Sequence, residues 1–298
     1  MQTKGSAHLT TNTLLPPAIQ AWQSYLYDKG SSPYTVKAFT SDIRLLTKFF
    51  PPDKSIGAIT TNDLNRFLEW MEKEREVPCS PKTLARRITS VKSFYRWLTQ
   101  YGVLVLDPAE KVVQHSVISP LPQVLTEAEF DEVLAAADRH RRAQTRDARP
   151  FALIHLLLTT GIKKSELLGI HLNHVEVRAP GGPQVFIRYP SAANRYKERK
   201  LLLTEDWLPP YQEYLAQYQP TDRLFPWSPR NLEYILEDIG IEAGLAKHLS
   251  FDMCRWTCAL RDFRSGLEPD KIRVKLGISK IQWREIGMKL RQLSESAR

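Results

Sequence analysis

The sequence predicts a mainly α-helical protein with a small β-sheet, organised as two domains. Apolar residues recur at helical spacing through most of the 298-residue chain, and only two short runs in its second half have the character of strands. The stretch Pro108 to Val124 contains three prolines and little periodicity, as linkers do. We therefore expect a helical domain over 14–112, a linker over 113–124 and an α+β domain over 125–298.

The first domain is predicted to hold four helices joined by short loops. The second helix, Thr35 to Phe50, ends before two prolines, and Thr61 is a plausible N-cap for the third. Ser80 would cap the fourth helix, because Pro81 suits a first helical position and Gly102 suits the end. The first helix is indicated by apolar side chains at helical spacing: Ile19, Trp22, Tyr25 and Leu26.

The second domain is predicted to open with a helix after Thr126, because Glu129 stands at the capping-box position. The nearly all-apolar run Phe151 to Thr160 predicts a buried helix, which Gly161 ends. The later elements are two short strands around a polar hairpin and then a mostly helical remainder: Val185–Tyr189, Pro190–Arg199, Lys200–Leu203 and the chain from Ser228 onward.

Charge and cysteine content narrow the class of function. The net charge of +9 and the pI of about 9.4 suit a polyanionic partner, most simply nucleic acid, although an ordinary basic soluble protein is equally compatible. Three cysteines without framework spacing argue against a secreted disulfide protein. Cys254 and Cys258 lie one helical turn apart, but His248 alone is too little to complete a metal site, so we expect buried thiols, no metal and no cofactor.

The chain contains no apolar run of membrane-spanning length, and its N-terminus lacks the pattern of a signal peptide. We therefore expect a cytoplasmic protein with no membrane partner.

A strongly basic helix is the best local indication of DNA binding. Five cations fall within the fifteen positions from Lys82 to Arg96, and no acid interrupts them. Four of them gather on one face, opposite an apolar face that can pack on the domain, whereas an ordinary surface helix mixes charges of both signs. The predicted DNA-binding residues of this helix are Lys82, Arg86, Arg87, Lys92 and Arg96.

Several phrases resemble the tyrosine recombinases of the phage integrase family, in particular the Xer-like members. The helix Ser80-Pro-Lys-Thr-Leu-Ala-Arg-Arg-Ile-Thr-Ser-Val-Lys-Ser-Phe-Tyr-Arg-Trp-Leu98 is similar to a family helix, as are Thr35 to Phe50 and Asp107-Pro108-Ala109. The resemblance implies an N-terminal SAM-like core-binding domain that clamps one face of duplex DNA. It also implies a C-terminal domain of the recombinase catalytic type that clamps the other face.

The C-terminal half resembles the segments that carry the chemistry of this family. The stretch Leu156-Leu-Leu-Thr-Thr-Gly-Ile-Lys-Lys-Ser-Glu-Leu-Leu-Gly-Ile170 is similar to the segment of the first catalytic arginine, and Ser250 to Leu260 is similar to the His-x-x-Arg helix. The resemblance implies cleavage through a covalent phosphotyrosine, with cations that hold the scissile phosphate and a hairpin lysine that protonates the leaving oxygen.

Most positions that the resemblance identifies carry other residues. Lys163 stands for the first arginine and keeps its charge, Asp252 stands for the histidine, and Arg255 matches the arginine of the His-x-x-Arg helix. The last tyrosine is Tyr234, and no tyrosine occurs from residue 235 to residue 298. The remaining remnant positions, for the hairpin lysine, the second His or Trp and the nucleophile, are Asn194, Ile278 and Gly287. Arg195 or Lys197 could approach the site in place of Asn194.

These substitutions lead to the expectation that the chain is not an enzyme but a catalytically inactive homologue. It would bind double-stranded DNA through the basic helix, Lys163 and Arg255, as an accessory, architectural or regulatory factor. Pairing with itself or with an active recombinase through the C-terminal helix is a further hypothesis. Two alternatives stay open. One is a protein–protein scaffold without DNA binding, and the other is an active recombinase whose nucleophile comes from a partner or is Tyr234 or one of the cluster Tyr211, Tyr214 and Tyr218.

Overall fold

The computed structural model describes residues 8–113 and 120–296, and the chain divides between Pro120 and Leu121 into two compact units. Half of the predicted linker, residues 114–119, lies outside the described residues. The first unit contains five α-helices within residues 8–113: α1 (Leu15–Asp28), α2 (Pro33–Ile43), α3 (Leu46–Phe49), α4 (Thr61–Glu69) and α5 (Pro81–Gln100).

Two details of the first unit differ from the sequence-based prediction. The helix predicted over 35–50 is divided into α2 and α3, so the unit has five helices where four were predicted. The N-cap of α4 is Thr60 rather than Thr61, because the Thr60 hydroxyl accepts a hydrogen bond from the Asp63 N–H (3.2 Å) and the Asp63 carboxylate accepts one from the Thr60 N–H (3.0 Å). The Thr61 hydroxyl donates to the carbonyl of Pro108 (2.8 Å).

The core of the first unit is aromatic and fixes the orientation of α5. Trp22 is fully buried and meets Phe94 of α5 edge to face, with ring centroids 5.3 Å apart. Val91 and Leu98 are buried on the same side of α5, as its apolar face predicts. Ser80 caps α5 by accepting a hydrogen bond from the Thr83 N–H, which confirms the predicted start of this helix.

The second unit is helical around one small antiparallel sheet. Its three strands pair in chain order, with Val185 of the central strand opposite Val175 on one side and Leu201 on the other. Its elements in chain order are α6 (Glu127–Arg142), α7 (Arg149–Thr160), α8 (Lys164–Leu167), β1 (Val175–Glu176), β2 (Gln184–Ile187), β3 (Arg199–Leu202), α9 (Leu208–Tyr218), α10 (Pro229–Glu242), α11 (Phe251–Arg264), α12 (Pro269–Lys275) and α13 (Lys280–Glu295). The mainly helical fold with a small sheet is as predicted.

Helix α7 forms the centre of this unit and is surrounded by α6, α9, α10 and α11. Its apolar sequence follows from this position, since nearly every residue from Pro150 to Leu158 is buried. His155 is buried and stacks on Phe151, and burial lowers the pKa of its imidazole. No described residue is a hydrogen-bond partner of its Nδ1 atom.

The C-terminal helix α13 packs within its own chain on α11 and α12. Leu290 and Leu293 of α13 are buried against Leu260 of α11 and Leu276 at the end of α12. Cys254 and Cys258 of α11 are buried free thiols, as predicted. No helix of the described residues has the length and hydropathy needed to span a bilayer.

Candidate functional site

The turn between α7 and α8 positions Lys163. Gly161 ends α7 in the left-handed region (φ 61°), and a Cβ at this residue would press on Cys258 of α11 and on Leu276, so glycine is required there. The N–H of Lys163 donates to the Glu166 carboxylate (2.9 Å), which holds the backbone of the turn. The Lys163 side chain therefore emerges from a fixed point.

Arg255 lies on the first turns of α11, which begins after the N-cap Ser250. Its guanidinium donates to the carbonyl of Gly161 (2.5 Å) and to the carbonyl of Leu276 (2.7 Å). Arg255 forms no ion pair with Asp252 or Glu166. Two backbone carbonyls fix the guanidinium instead, and its charge has no carboxylate bonded to it among the described residues.

Lys163 and Arg255 line one cavity of about 460 Å³ at the N-terminal end of α11. Asp252 lines it too and forms no ion pair with any described residue. Glu233 is paired with Lys164 (2.6 Å) and lies near Arg230 (3.6 Å), so its charge is already neutralised. The polar side chains around the cavity are Lys163, Lys164, Arg230, Glu233, His248, Ser250, Asp252 and Arg255.

The surroundings of the cavity make the charged forms of Lys163 and Arg255 less stable than they are in water. Burial lowers the pKa of the Lys163 ammonium, and the charge of Arg255 lowers it further, while Glu166 opposes these effects. Burial likewise lowers the pKa of the Arg255 guanidinium. A bound anion would relieve both effects, so the cavity is suited to a phosphate group.

A buried ion pair supports this cavity from beneath. The Glu166 side chain is fully buried and accepts two parallel hydrogen bonds from Arg199 of β3, each 3.0 Å long. The Tyr189 hydroxyl donates to the same carboxylate, and Arg199 Nε donates to the carbonyl of Lys275 (2.6 Å). Burial raises the pKa of the Glu166 carboxyl, but the hydrogen bonds and charge of Arg199 outweigh it, so the pKa lies below the usual value. Burial and the bond to Glu166 raise the pKa of Tyr189 to about 12.

The two hairpin cations, Lys197 and Arg195, have different surroundings. Lys197 donates to the side-chain oxygen of Asn194 (2.9 Å), and its charge contributes to lowering the pKa of Lys163. Arg195 lines a different cavity, together with His171 and His174. Of the two alternatives to Asn194, the structure therefore favours Lys197.

The other remnant positions do not line the cavity. Ile278 is buried in the apolar cluster of α11, α12 and α13, and Gly287 packs against the half-buried Trp283 within α13. Sequence reasoning missed Lys164, Arg230 and Ser250 as members of the site. The N-cap pattern before α11 was the available signal for Ser250, but nothing local points to Arg230, which reaches the cavity only through the packing of α10.

The five predicted DNA-binding residues of α5 differ in exposure and in their bonding partners. Lys82 and Arg96 are exposed and Lys92 is half-buried, and none of the three forms an ion pair with a described residue. Arg86 is bonded to Asp42 of α2. Arg87 is turned inward, where its guanidinium contacts the sulfur atoms of Cys79 and Met71, so it does not belong to the exposed basic face.

Comparison with known proteins gives the fold and the site a family. The phage integrase N-terminal SAM-like domain matches residues 19–102, and the phage integrase family domain matches residues 123–285. The two compact units thus correspond to the two domains of integrase-type proteins. The chain belongs to the phage integrase family, the tyrosine recombinases.

Curated relatives match over most of the chain. It is 28% identical over 264 residues to tyrosine recombinase XerC of Corynebacterium efficiens, covering 86% of this chain and 81% of the relative. It is 25% identical over 288 residues to tyrosine recombinase XerC of Lacticaseibacillus casei, covering 90% of this chain and 92% of the relative.

Solved structures show the same fold. The XerH site-specific recombinase bound to palindromic difH substrate in a post-cleavage complex has a TM-score of 0.74 at 16% identity, covering 97% of this chain and 90% of that chain. A lambda integrase dimer bound to a COC′ core site has a TM-score of 0.71 at 12% identity, covering 92% and 77%.

These comparisons correct one prediction. From the substituted positions we predicted that the chain is not an enzyme, and this prediction is wrong by the comparisons. Relatives that match along nearly its whole length carry the name of an enzyme, tyrosine recombinase.

The buried ion pair makes a testable contribution to stability. Replacing Arg199 with Met should lower the free energy of unfolding by about 3–5 kcal/mol, because Glu166 would remain buried without its cation. Urea unfolding followed by circular dichroism measures this difference.

The matched control is Lys200→Met on the same strand, whose half-exposed side chain pairs with Glu176 at 3.3 Å. This change should cost no more than about 1 kcal/mol. Equal losses for the two variants would contradict a supporting role for the buried pair.

Proposed function

We propose that this chain binds duplex DNA and acts in site-specific DNA recombination. The observation that carries the proposal is the cavity in which Lys163 and Arg255 are desolvated without a carboxylate bonded to either side chain among the described residues. A DNA phosphate supplies the missing anion. The unpaired cations of α5 support the same function, since they offer charge to a phosphate backbone.

Holding and shaping the DNA site is the part of recombination that these contacts support directly. The chain would then act as an accessory, architectural or regulatory subunit within a larger complex. The competing hypothesis is a protein–protein scaffold that does not bind DNA. A titration of the protein with duplex DNA distinguishes this hypothesis from the proposed function. A cytoplasmic location stays a prediction.

Salt dependence tests the contribution of α5. Replacing Lys82, Lys92 and Arg96 together with Gln should flatten the slope of log affinity against log salt by about three, because each cation releases about 0.9 counterion per phosphate. Fluorescence anisotropy with a labelled duplex measures the slope.

Lys73 offers a control for this experiment, because it is exposed in the same unit but paired with Glu69 (3.0 Å). Lys73→Gln should leave the slope nearly unchanged. Failure of the wild-type chain to bind any duplex at low salt would contradict the proposed function.

The lowered pKa of Lys163 predicts a pH dependence of DNA binding. A bound phosphate raises this pKa, so affinity is highest below the pKa of the free protein and falls as the pH rises through it. Lys163→Arg should bind with a flat profile from neutral to alkaline pH, because guanidinium keeps its proton there.

The neighbouring Lys164, paired with Glu233, provides the matched variant. Lys164→Arg should keep the wild-type profile. If Lys163→Arg shows the same decline as the wild type, Lys163 is not the titrating group.

Strand cleavage by this chain is the second candidate function, and one observation favours Tyr234 as its nucleophile. The guanidinium of the cavity residue Arg230 lies 4.4 Å from the Tyr234 ring centroid, and the ring is 47% exposed. Tyr211 and Tyr214 are buried, and the Tyr214 hydroxyl donates to the carbonyl of Leu224. In this reaction the phenolic oxygen would bond to phosphorus and lose its proton to a base, while the P–O5′ bond breaks and the 5′ oxygen gains a proton.

A nicked suicide duplex tests this candidate. The wild-type chain should form an adduct that survives denaturing electrophoresis, and Tyr234→Phe should form none. Tyr218→Phe is the control, because that ring packs edge to face on Trp227, and neither residue lines the cavity. If saturating wild-type protein yields no adduct, the second candidate fails while the proposed DNA binding stands.

Assembly with another recombinase-type subunit completes the proposal. Ile281 and Met288, two turns apart on α13, are 78% and 56% exposed and lie on one face of the helix. We infer that this face contacts a second copy of the chain or a related recombinase.

Light scattering in the presence of duplex should therefore give a mass above one protein per site. Ile281→Asp should reduce this mass to one protein per site, whereas Lys280→Ala on the adjacent position should not. A single protein per site for the wild type would count against the contact.

A further inference from the structure

A groove in the first unit is lined by cations that are bonded to a buried carboxylate and by cations that form no ion pair with a described residue. It has a volume of about 510 Å³ and lies between α2, α3 and α5. Asp42 is the one acidic residue among those that line it. The basic residues around it are Lys37, Lys48, Arg75, Arg86 and Arg87.

Asp42 is buried, with a side chain only 4% exposed, and it forms hydrogen bonds with residues of α5. Its Oδ2 atom accepts hydrogen bonds from Arg86 Nη1 (2.5 Å) and from the buried hydroxyl of Ser90 (2.8 Å). Its Oδ1 atom lies 3.7 Å from Arg87 Nε. Because a buried carboxylate that loses its cation is costly, Arg86 is strongly held in this position.

The free side of Arg86 faces outward. Its side chain is 43% exposed, and no described residue accepts a hydrogen bond from its Nε or Nη2 atom. The other outward cations of the first unit near this groove are not held in this way. Lys37, Lys48 and Arg75 form no ion pair with any described residue, and the same holds for Lys82, Lys92 and Arg96 of α5.

These two arrangements suit different parts of a DNA duplex. A phosphate needs only positive charge, which mobile unpaired cations provide, and each such contact releases counterions. A base edge needs donors in a fixed direction, and a guanidinium whose rotamer is already fixed loses little entropy when it binds there. Since Arg86 is bonded to the Asp42 carboxylate, it attracts a phosphate less strongly than a cation without such a partner, but it keeps its directed donors at Nε and Nη2.

We propose that Arg86 reads a base pair of the bound DNA, with the O6 and N7 atoms of guanine as its acceptors, and that Asp42 and Ser90 are its positioning residues. This inference rests on the proposed DNA binding. The unpaired cations around it contact phosphates and add affinity without sequence preference.

Selection from randomised duplexes, followed by anisotropy titration of the selected duplex and its single-base variants, tests the inference. Arg86→Lys keeps the ion pair with Asp42 but loses the planar fork. It should lose about 10- to 100-fold of the discrimination at one or two base pairs and keep the wild-type salt slope.

Asp42→Asn gives the opposite electrostatic signature. It frees the full charge of Arg86, so the salt slope should steepen by about one while the same base preference is lost. A merely structural role for Asp42 would leave the base preference of the folded variant unchanged. Lys92→Gln is the control: it should flatten the slope by about 0.9 and leave the selected sequence unchanged.

Circular dichroism melts show which variants fold. If Asp42→Asn does not fold, the result for Arg86→Lys decides the question. The inference is overturned if Arg86→Lys selects the wild-type sequence with undiminished discrimination. Absence of any wild-type binding would overturn the proposed function and this inference with it.

Discussion

Glu166 is a carboxylate without contact to solvent, and three segments of the second unit are tied to it. Its two oxygens accept the paired hydrogen bonds of Arg199 from the sheet, one from the Tyr189 hydroxyl, and one from the backbone of Lys163. Arg199 extends the connection to the end of α12 through the carbonyl of Lys275. A buried charge of this kind is tolerated only when its hydrogen-bonding capacity is filled, so these segments must assemble together.

The cavity above this ion pair depends on an imbalance of charge. Glu166 forms an ion pair with Arg199, and Glu233 forms one with Lys164. Among the described residues, Lys163 and Arg255 are left without a bonded carboxylate at the cavity wall. Desolvation makes each cation less stable in its charged form, and their proximity adds repulsion. The fold supplies the rigidity that keeps the two cations together. The same strain is what an incoming anion removes.

Features that depend on neighbouring residues in the sequence could be predicted. The caps Ser80 and Thr126 and the glycine stop at Gly161 were recognised because each acts within one turn of its own helix. The strand β1 was missed, since two residues carry no periodicity. The fate of Arg86 could not be predicted, because it depends on Asp42, which is 44 positions away in the sequence.

The same limit applies to the site. The resemblance pointed to Lys163 and Arg255, which line one cavity in the structure, but the carbonyls that fix Arg255 belong to distant turns and have no side-chain signature. The prediction of an inactive protein went wrong for a related reason. It treated residue identity at six positions as equivalent to function, whereas the relatives share fold and class over nearly the whole chain. Geometry, which places Tyr234 beside Arg230, was not part of that reasoning.

Arg255 fastens the turn after α7 to the end of α12, and this has a consequence for how the sequence can evolve. Loss of its guanidinium would leave the carbonyls of Gly161 and Leu276 without a donor, whatever happens at the DNA. Selection for folding alone would therefore retain an arginine at this position. Among the described residues, no acceptor of the fold is bonded to the Lys163 ammonium group. Substitution at residue 163 would therefore reflect a change in the bound ligand, whereas retention of arginine at residue 255 would mainly reflect the needs of the fold.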